Sequence, residues 1–143
     1  MVFRAPTFYQ FEEPMNRKRV LIFGVVFVLV LGAFGAHALK DVVKEESALE
    51  SFKTGVYYQM FHGLSLIVLV LPMFKEVSKW ISNLMIVGTL FFSGSIYFLV
   101  LGSTFSFSIP GLFILTPVGG TLLIIGWGLL LKSVLTNKIT FEK

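Results

Sequence analysis

Long apolar stretches alternate with short polar stretches along this chain, and the pattern predicts four membrane-spanning helices. A helix needs about 20 mostly apolar residues to cross a hydrocarbon layer of roughly 30 Å. The apolar core of each stretch has no Asp, Glu, Lys or Arg, and the predicted helices cover residues 20–38, 47–74, 80–102 and 110–132. We therefore predict an all-α fold, a four-helix transmembrane bundle within residues 16–135, preceded by an extension (1–15) and followed by a short tail (136–143).

Local signals predict where the second and fourth helices start. Ser47 and Glu50 have the spacing of a capping box, which predicts that helix two starts well before its apolar core. Thr116 followed by Pro117 resembles an N-cap and a first helical position, so the regular part of helix four is predicted to start at Thr116. Residues 104–109 alternate polar and apolar side chains, and we expect them to be extended.

Composition and charge narrow the class of protein. The chain has 55% hydrophobic and 14% charged residues, whereas soluble domains have about 25% charged residues. Its net charge of +4 could indicate nucleic-acid binding, but the Lys and Arg residues flank the apolar runs as they do in membrane proteins. We therefore expect no nucleic-acid partner. The chain has no Cys, which excludes disulfides, thiolate metal ligands and Cys nucleophiles.

The distribution of Lys and Arg predicts the orientation in the membrane. Arg17, Lys18 and Arg19 precede helix one and are its topology determinant. Most other basic residues fall on the same side, whereas the opposite side has three Lys residues offset by four acids. We therefore predict that both termini are cytoplasmic, in a bacterial cell inner membrane or, for a eukaryotic chain, in an organellar membrane.

The N-terminal region leaves two alternatives open. Residues 1–15 contain aromatic residues without helical periodicity, which fits either a disordered extension or a segment that lies on the membrane or contacts a neighbouring protein. Helix one could also be a cleaved signal peptide, because Ala36-His37-Ala38 has the A-x-A form. Its apolar run is longer than the usual signal-peptide core of about 7–15 residues, so we expect helix one to be retained.

Small residues in every predicted helix indicate how the helices pack. Lipid tails are as apolar as Leu, so helices in a bilayer associate through close backbone approach and polar contacts. Gly32, Gly35, Gly94 and Gly120 are the predicted helix-packing positions. The same faces could hold a second copy of the chain. Membrane lipids, other membrane proteins or a homo-oligomer are therefore the expected partners.

Two histidines are the side chains with ionisable chemistry inside or at the ends of the predicted spans. Tyr58, Gln59 and His62 share one helical face, and His37 at the end of helix one is expected in the same outer layer. This layer could make hydrogen bonds to the backbone of helix one, bind a lipid, quinone or other small amphipathic molecule, or hold a metal. Two imidazoles without a carboxylate or thiolate make a poor metal site, so we expect neither a metal nor another cofactor.

No residue pattern indicates catalysis. Ser and Thr within the spans have no partner base, and the apolar part of each span lacks a carboxylate for a proton relay. We therefore predict a small multi-pass membrane protein that is not an enzyme and has a structural or interaction role, for example as an accessory subunit of a larger membrane complex. The alternative is binding or handling of an amphipathic molecule at the polar layer around His37 and His62.

Motifs in all four predicted helices resemble those of one family. They are Gly-Ala-Phe-Gly-Ala-His at 32–37, Phe-x-Thr-Gly-Val-x-Tyr-Gln-x-x-His at 52–62, Phe-Ser-Gly-Ser-Ile-Tyr at 92–97, and Thr-Pro-Val-Gly-Gly at 116–120 followed by Gly-Trp at 126–127. Together they resemble the small bacterial membrane proteins called domain of unknown function 423, which include the animal transmembrane protein 256 group. The resemblance covers about residues 20–131 and is weaker over 104–115. It implies a four-helix membrane fold without an assigned activity.

Cysteine labelling in intact cells tests the predicted orientation. Because the chain has no native Cys, Ser47→Cys and Thr136→Cys each introduce a single thiol, and the two thiols lie on opposite sides of the membrane in the predicted topology. We expect a membrane-impermeant maleimide to label Ser47→Cys in intact cells and to label Thr136→Cys only after lysis. Labelling of Thr136→Cys but not of Ser47→Cys in intact cells would reverse the orientation.

Overall fold

A computed structural model describes residues 16–32, 42–74 and 77–136. Within these residues the chain forms four α-helices, α1 (Arg17–Gly32), α2 (Glu46–Leu69), α3 (Lys79–Phe105) and α4 (Leu112–Leu135), and a short 3-10 turn, Pro72–Phe74. The predicted all-α fold with four helices is thereby confirmed, while the orientation of the termini stays a prediction. Among the described helices, α3 and α4 are long and apolar enough to cross a membrane. The predicted extension and almost all of the predicted tail lie outside the described residues.

Helices α1 and α2 lie antiparallel and pack through two glycines. Asn16 caps α1, since its Oδ1 accepts a hydrogen bond from the Arg19 backbone N–H at 3.1 Å. A Cβ added to Gly24 would lie 2.8 Å from the Gly63 carbonyl oxygen, and one added to Gly63 would lie 3.0 Å from the Gly24 carbonyl oxygen. The missing side chains therefore let the two backbones approach closely, as in other membrane helix pairs with small residues at the crossing.

Helices α3 and α4 form the second close pair. The Ser78 side chain caps the first turn of α3, and Ser106 ends this helix in the left-handed conformation, with φ 58°. At the crossing with α4, a Cβ on Gly88 would lie 3.1 Å from the Gly119 carbonyl oxygen, and one on Gly119 would lie 2.8 Å from the Gly88 carbonyl oxygen. This helix pair also has the most extensive contact among the described helices.

The connection between α3 and α4 differs from the prediction. The segment expected to be extended, 104–109, overlaps the last turn of α3, and α4 starts after Gly111, whose φ of 77° suits glycine. The predicted start at Thr116 is wrong, because Pro117 lies inside α4. The Thr116 hydroxyl lies 2.7 Å from the Ser95 hydroxyl of α3, so it bonds to the neighbouring helix instead of capping its own.

Helix α2 begins without the predicted capping box. It starts at Glu46, one residue before the predicted start, and the N-cap residue Glu45 makes no side-chain capping hydrogen bond. Ser47 Oγ donates to Glu45 Oε1 at 2.6 Å, and the Glu50 carboxylate accepts from the Lys53 ammonium. The predicted capping box is therefore wrong, because both of its side chains bond to charged partners, which form the stronger hydrogen bonds.

The described helices pack in the order of the sequence and do not close into a ring. The large contacts are those of α1 with α2, α2 with α3, and α3 with α4. The main core contains Leu66, Leu69, Ile81 and Met85, and the partly buried Leu130 of α4 packs against it. In a closed bundle of this order α1 and α4 would be neighbours, yet α4 makes at most slight contact with α1 and with α2.

Two alanine substitutions test the close approach of α3 and α4. An added Cβ at Gly119 would meet the backbone of α3, which cannot move aside as the end of a side chain can, whereas one at Gly94 would meet nothing within 4 Å. We expect Gly119→Ala to lower the free energy of unfolding in mild detergent by about 1–3 kcal/mol. Gly94→Ala is the matched control and should leave it unchanged or slightly higher. Equal effects of the two substitutions would contradict the crossing.

Candidate functional site

A buried amide connects three of the helices. Gln59 of α2 is 7% exposed and donates from Nε2 to the Phe27 carbonyl oxygen of α1 at 2.8 Å. Its Oε1 accepts a hydrogen bond from the Tyr97 hydroxyl of α3 at 3.0 Å. Since the hydrocarbon region of a bilayer has no water to bond a polar group, both ends of the amide have their partners inside the protein.

His62 connects α2 to α4 and has both ring nitrogens engaged. The ring is 3% exposed, with Nδ1 2.7 Å from the Tyr58 carbonyl oxygen and Nε2 3.2 Å from Nε1 of Trp127. A carbonyl oxygen can only accept a hydrogen bond and an indole N–H can only donate one. Nδ1 therefore carries the proton and Nε2 accepts, which makes His62 a neutral imidazole in this geometry.

A groove of about 620 Å³ lies between α2 and α4, with α3 as its floor. Aromatic rings form most of its wall: Tyr58 packs on Phe92 with ring centroids 4.5 Å apart, and Phe61 packs on Trp127 at 5.7 Å. Gly120 of α4 leaves room beside Phe92. Because Phe92 lies near the middle of α3, the groove lies at mid-height along the helices, and not at the outer end where we expect the polar layer from the sequence.

The structure separates the four residues predicted to bind a ligand. Tyr58 and His62 line the groove, whereas Gln59 is absent from its lining and bonds to α1 and α3. His37 lies outside the described residues. The layer around both histidines therefore stays a prediction, and His62 with Trp127 is the polar pair that the described residues bring together.

The glycines predicted to pack helices have different surroundings. Gly120 borders the groove, where an added Cβ would lie 3.6 Å from the Phe92 ring. An added Cβ at Gly94 would meet nothing within 4 Å, so no described helix packs on this position. Gly32 is the last residue of α1, and Gly35 lies outside the described residues. The close helix crossings use other glycines of the same four helices.

The three basic residues predicted to set the topology occupy the first turn of α1. A guanidinium N–H of Arg17 donates to the Val70 carbonyl oxygen after the end of α2. A guanidinium N–H of Arg19 donates to Asn83 Oδ1 of α3 at 2.9 Å, while Lys18 is exposed. Two of the three side chains therefore also connect α1 to its neighbours.

Sequence reasoning missed the contact that Trp127 makes across the groove. An interfacial position is the usual expectation for a Trp in a membrane helix, and no spacing along the chain relates Trp127 to His62. One signal could have found the pair. The indole N–H must find an acceptor when it lies within a span, and the neutral imidazole of His62 is a side chain that can offer one in an apolar layer.

The groove offers contacts that suit the binding of a small molecule. Among the residues that the structure describes, no three His, Asp or Glu side chains are grouped so that they could hold a metal ion. The groove offers ring faces, one satisfied imidazole–indole pair, and the phenols of Tyr57 and Tyr58. Its volume falls within the range of about 300–1,000 Å³ that small-molecule sites show, and its lining is apolar with few polar groups, as is usual for them.

Comparisons with known proteins agree on one family. The model for the family described as protein of unknown function (DUF423) matches residues 31–120. The UPF0382 inner membrane protein YgdD of Escherichia coli (strain K12) is 36% identical over 132 residues, covering 87% of this chain and 95% of that protein. A UPF0382 membrane protein of Staphylococcus epidermidis is 39% identical over 106 residues, 73% of this chain and 82% of the relative. UPF0382 membrane protein C1782.12c of Schizosaccharomyces pombe is 37% identical over 101 residues, 71% and 86% of the two chains. No solved structure matches.

A double-mutant cycle tests the amide that joins three helices. Gln59→Leu removes the acceptor of the Tyr97 hydroxyl and should lower the free energy of unfolding by about 1–3 kcal/mol, the cost of a polar group left without a partner. Tyr97→Phe alone should cost about 0.6 kcal/mol, as interhelical hydrogen bonds in membranes do on average. The double variant should be more stable than the sum of the two predicts, by at least about 0.5 kcal/mol. Additive costs, measured by denaturation in detergent, would show that the two side chains are not coupled.

Proposed function

This chain belongs to the DUF423 family of membrane proteins of unknown function, and we propose that it is a multi-pass membrane protein without catalytic activity that binds an amphipathic lipid in the groove between α2 and α4. The observation that carries the proposal is a ring-lined groove of about 620 Å³ at mid-height along the helices. At that height the neighbouring molecules are lipid chains. An empty groove would forfeit van der Waals contacts along its whole wall, so a chain-like molecule is favoured there.

The state of His62 supports a neutral occupant. Its Nδ1 proton is bonded to the Tyr58 carbonyl oxygen and its Nε2 accepts from the Trp127 N–H, so the imidazole has no proton or lone pair left for a ligand. The inner part of the groove therefore suits an apolar chain or an uncharged ring, which needs contact with the walls and no charge partner.

Two tyrosines support a polar head on the same molecule. Tyr57 and Tyr58 line the groove on α2, and they are 67% and 44% exposed. A phenol can both donate and accept a hydrogen bond, so it suits the carbonyl or hydroxyl oxygen of a lipid head. An apolar chain with a small oxygen-bearing head is the chemistry shared by isoprenoid quinones and by the glycerol esters of phospholipids, and the experiment below separates these two sources.

A structural role as a subunit is the second candidate, and the surface of α4 favours it. In the apolar part of α4, 17% of the residues are buried inside the described protein, compared with 39% for α3. Gly128 is one of its outward positions, where an added Cβ would meet no described residue within 4 Å. Another membrane helix, from a second copy or from a larger complex, could cover this face.

Two leucine substitutions on α4 separate the candidates. Gly120→Leu places a side chain inside the groove next to Phe92, whereas Gly128→Leu adds the same bulk outside the groove. We expect the wild-type protein and Gly128→Leu, purified in mild detergent, to carry an equimolar amphipathic lipid, and Gly120→Leu to carry at least tenfold less. Quantitative mass spectrometry of the solvent extract measures this amount and identifies a quinone or a phospholipid.

The same preparations show which candidate fails. Equal lipid in Gly120→Leu and wild type would overturn the groove as the binding site. A wild-type protein without bound lipid that forms a defined oligomer or complex in native mass spectrometry, lost in Gly128→Leu and kept in Gly120→Leu, would support the subunit role instead.

A further inference from the structure

A second, polar cleft of about 430 Å³ lies where α1 and α3 begin, at one end of the bundle and apart from the groove. Asn16 and Arg19 of α1 line it on one side, and Lys79, Trp80 and Asn83 of α3 line it on the other. It differs from the groove in chemistry as well as in place, since two cations and two amides replace the ring-lined wall.

The hydrogen bonds around this cleft fix its basic side chain. The Arg19 guanidinium donates to Asn83 Oδ1 at 2.9 Å and lies 5.9 Å from the centre of the Phe23 ring. The Asn16 side chain holds the Arg19 backbone by capping α1. A guanidinium has five N–H donors in a rigid fork, so the bond to Asn83 orients the group and leaves donors for a second acceptor.

The charges of the described residues make this end of the bundle attractive to anions. Its described ionic residues are all basic: Arg17, Lys18, Arg19, Lys79 and Lys132. The described carboxylates lie at the opposite end, at the start of α2: Glu45, Glu46 and Glu50. The cleft therefore lies at the basic end of the described bundle.

We propose that this cleft binds the phosphate of an anionic phospholipid, with Arg19 and Lys79 as its charged contacts and Asn83 as the group that orients Arg19. A lipid is favoured over a dissolved anion by the position of the cleft. The buried Val20 and the largely exposed Trp80 line it at the first apolar turns, where a headgroup lies and where Trp side chains are common. Basic pockets between membrane helices are the usual sites for acidic lipid headgroups.

Lipid titration of the purified protein by native mass spectrometry tests the proposal. We expect dioleoylphosphatidylglycerol to bind wild type at least tenfold more tightly than dioleoylphosphatidylcholine. Arg19→Gln and Lys79→Gln should each weaken phosphatidylglycerol binding at least tenfold, because each removes a charged donor to the phosphate. Lys18→Gln is the matched control: it removes the same charge at the same end, outside the cleft, and should weaken binding by no more than about fivefold.

Each alternative has its own outcome. Equal binding of the two lipids to wild type overturns the proposal without any variant, so a folding defect in Arg19→Gln cannot hide the answer. Equal losses in Lys18→Gln, Arg19→Gln and Lys79→Gln would indicate general attraction to the basic surface. Binding of inorganic phosphate alone as tight as that of the lipid would indicate a site for a dissolved anion. Gly120→Leu should leave phosphatidylglycerol binding unchanged, and a loss there would assign the lipid to the groove.

Discussion

Close backbone approach at two pairs of glycines sets the spacing on which the rest of this bundle depends. Gly24 meets Gly63 between α1 and α2, and Gly88 meets Gly119 between α3 and α4, each at distances that leave no room for a Cβ. In a bilayer, apolar side chains gain little by leaving lipid for one another, so backbone proximity is a main source of helix association. The bundle therefore consists of two tight helix pairs, which α2 and α3 join through the Gln59 amide and the Tyr97 hydroxyl.

The groove follows from this pairing. Contact at Gly119 holds the α4 backbone against α3, while α4 and α2 make at most slight backbone contact. Long side chains cross the gap that results, and the hydrogen bond between His62 and Trp127 is the polar contact among them. The close packing of α4 on α3 thus leaves a ring-lined groove between α4 and α2. A molecule in the groove would cover the ring-lined faces that α2 and α4 turn toward each other without close contact.

The sequence predicts the helices of this protein better than it predicts which way they face. Uninterrupted apolar runs predict their number and order, because length and absence of charge are properties of the chain alone. The side of each helix that packs on a neighbour is harder to predict, because small residues occur on several sides of α3 and α4. The small residues of α3 and α4 predict packing at Gly94 and Gly120, yet the crossing uses Gly88 and Gly119. Thr116 shows the same limit: a hydroxyl that could cap its own helix bonds across to α3 once that helix is near.

The candidate site was predictable in part for the same reason. Tyr58 and His62 stand out in the sequence because a polar group in an apolar span needs a hydrogen-bond partner. The sequence does not say which residue that partner is. The partner of His62 is Trp127 of α4, far along the chain. The cleft likewise forms only because the first turns of α1 and α3, distant in sequence, lie side by side. The two sites also differ in how strongly the ionic strength affects binding. Charges near the surface in the cleft are screened as ionic strength rises, whereas the groove holds no charge and its contacts are insensitive to salt. The two sites would therefore bind by different interactions: apolar contact holds an amphipathic lipid in the groove, and electrostatic attraction holds an anionic headgroup in the cleft.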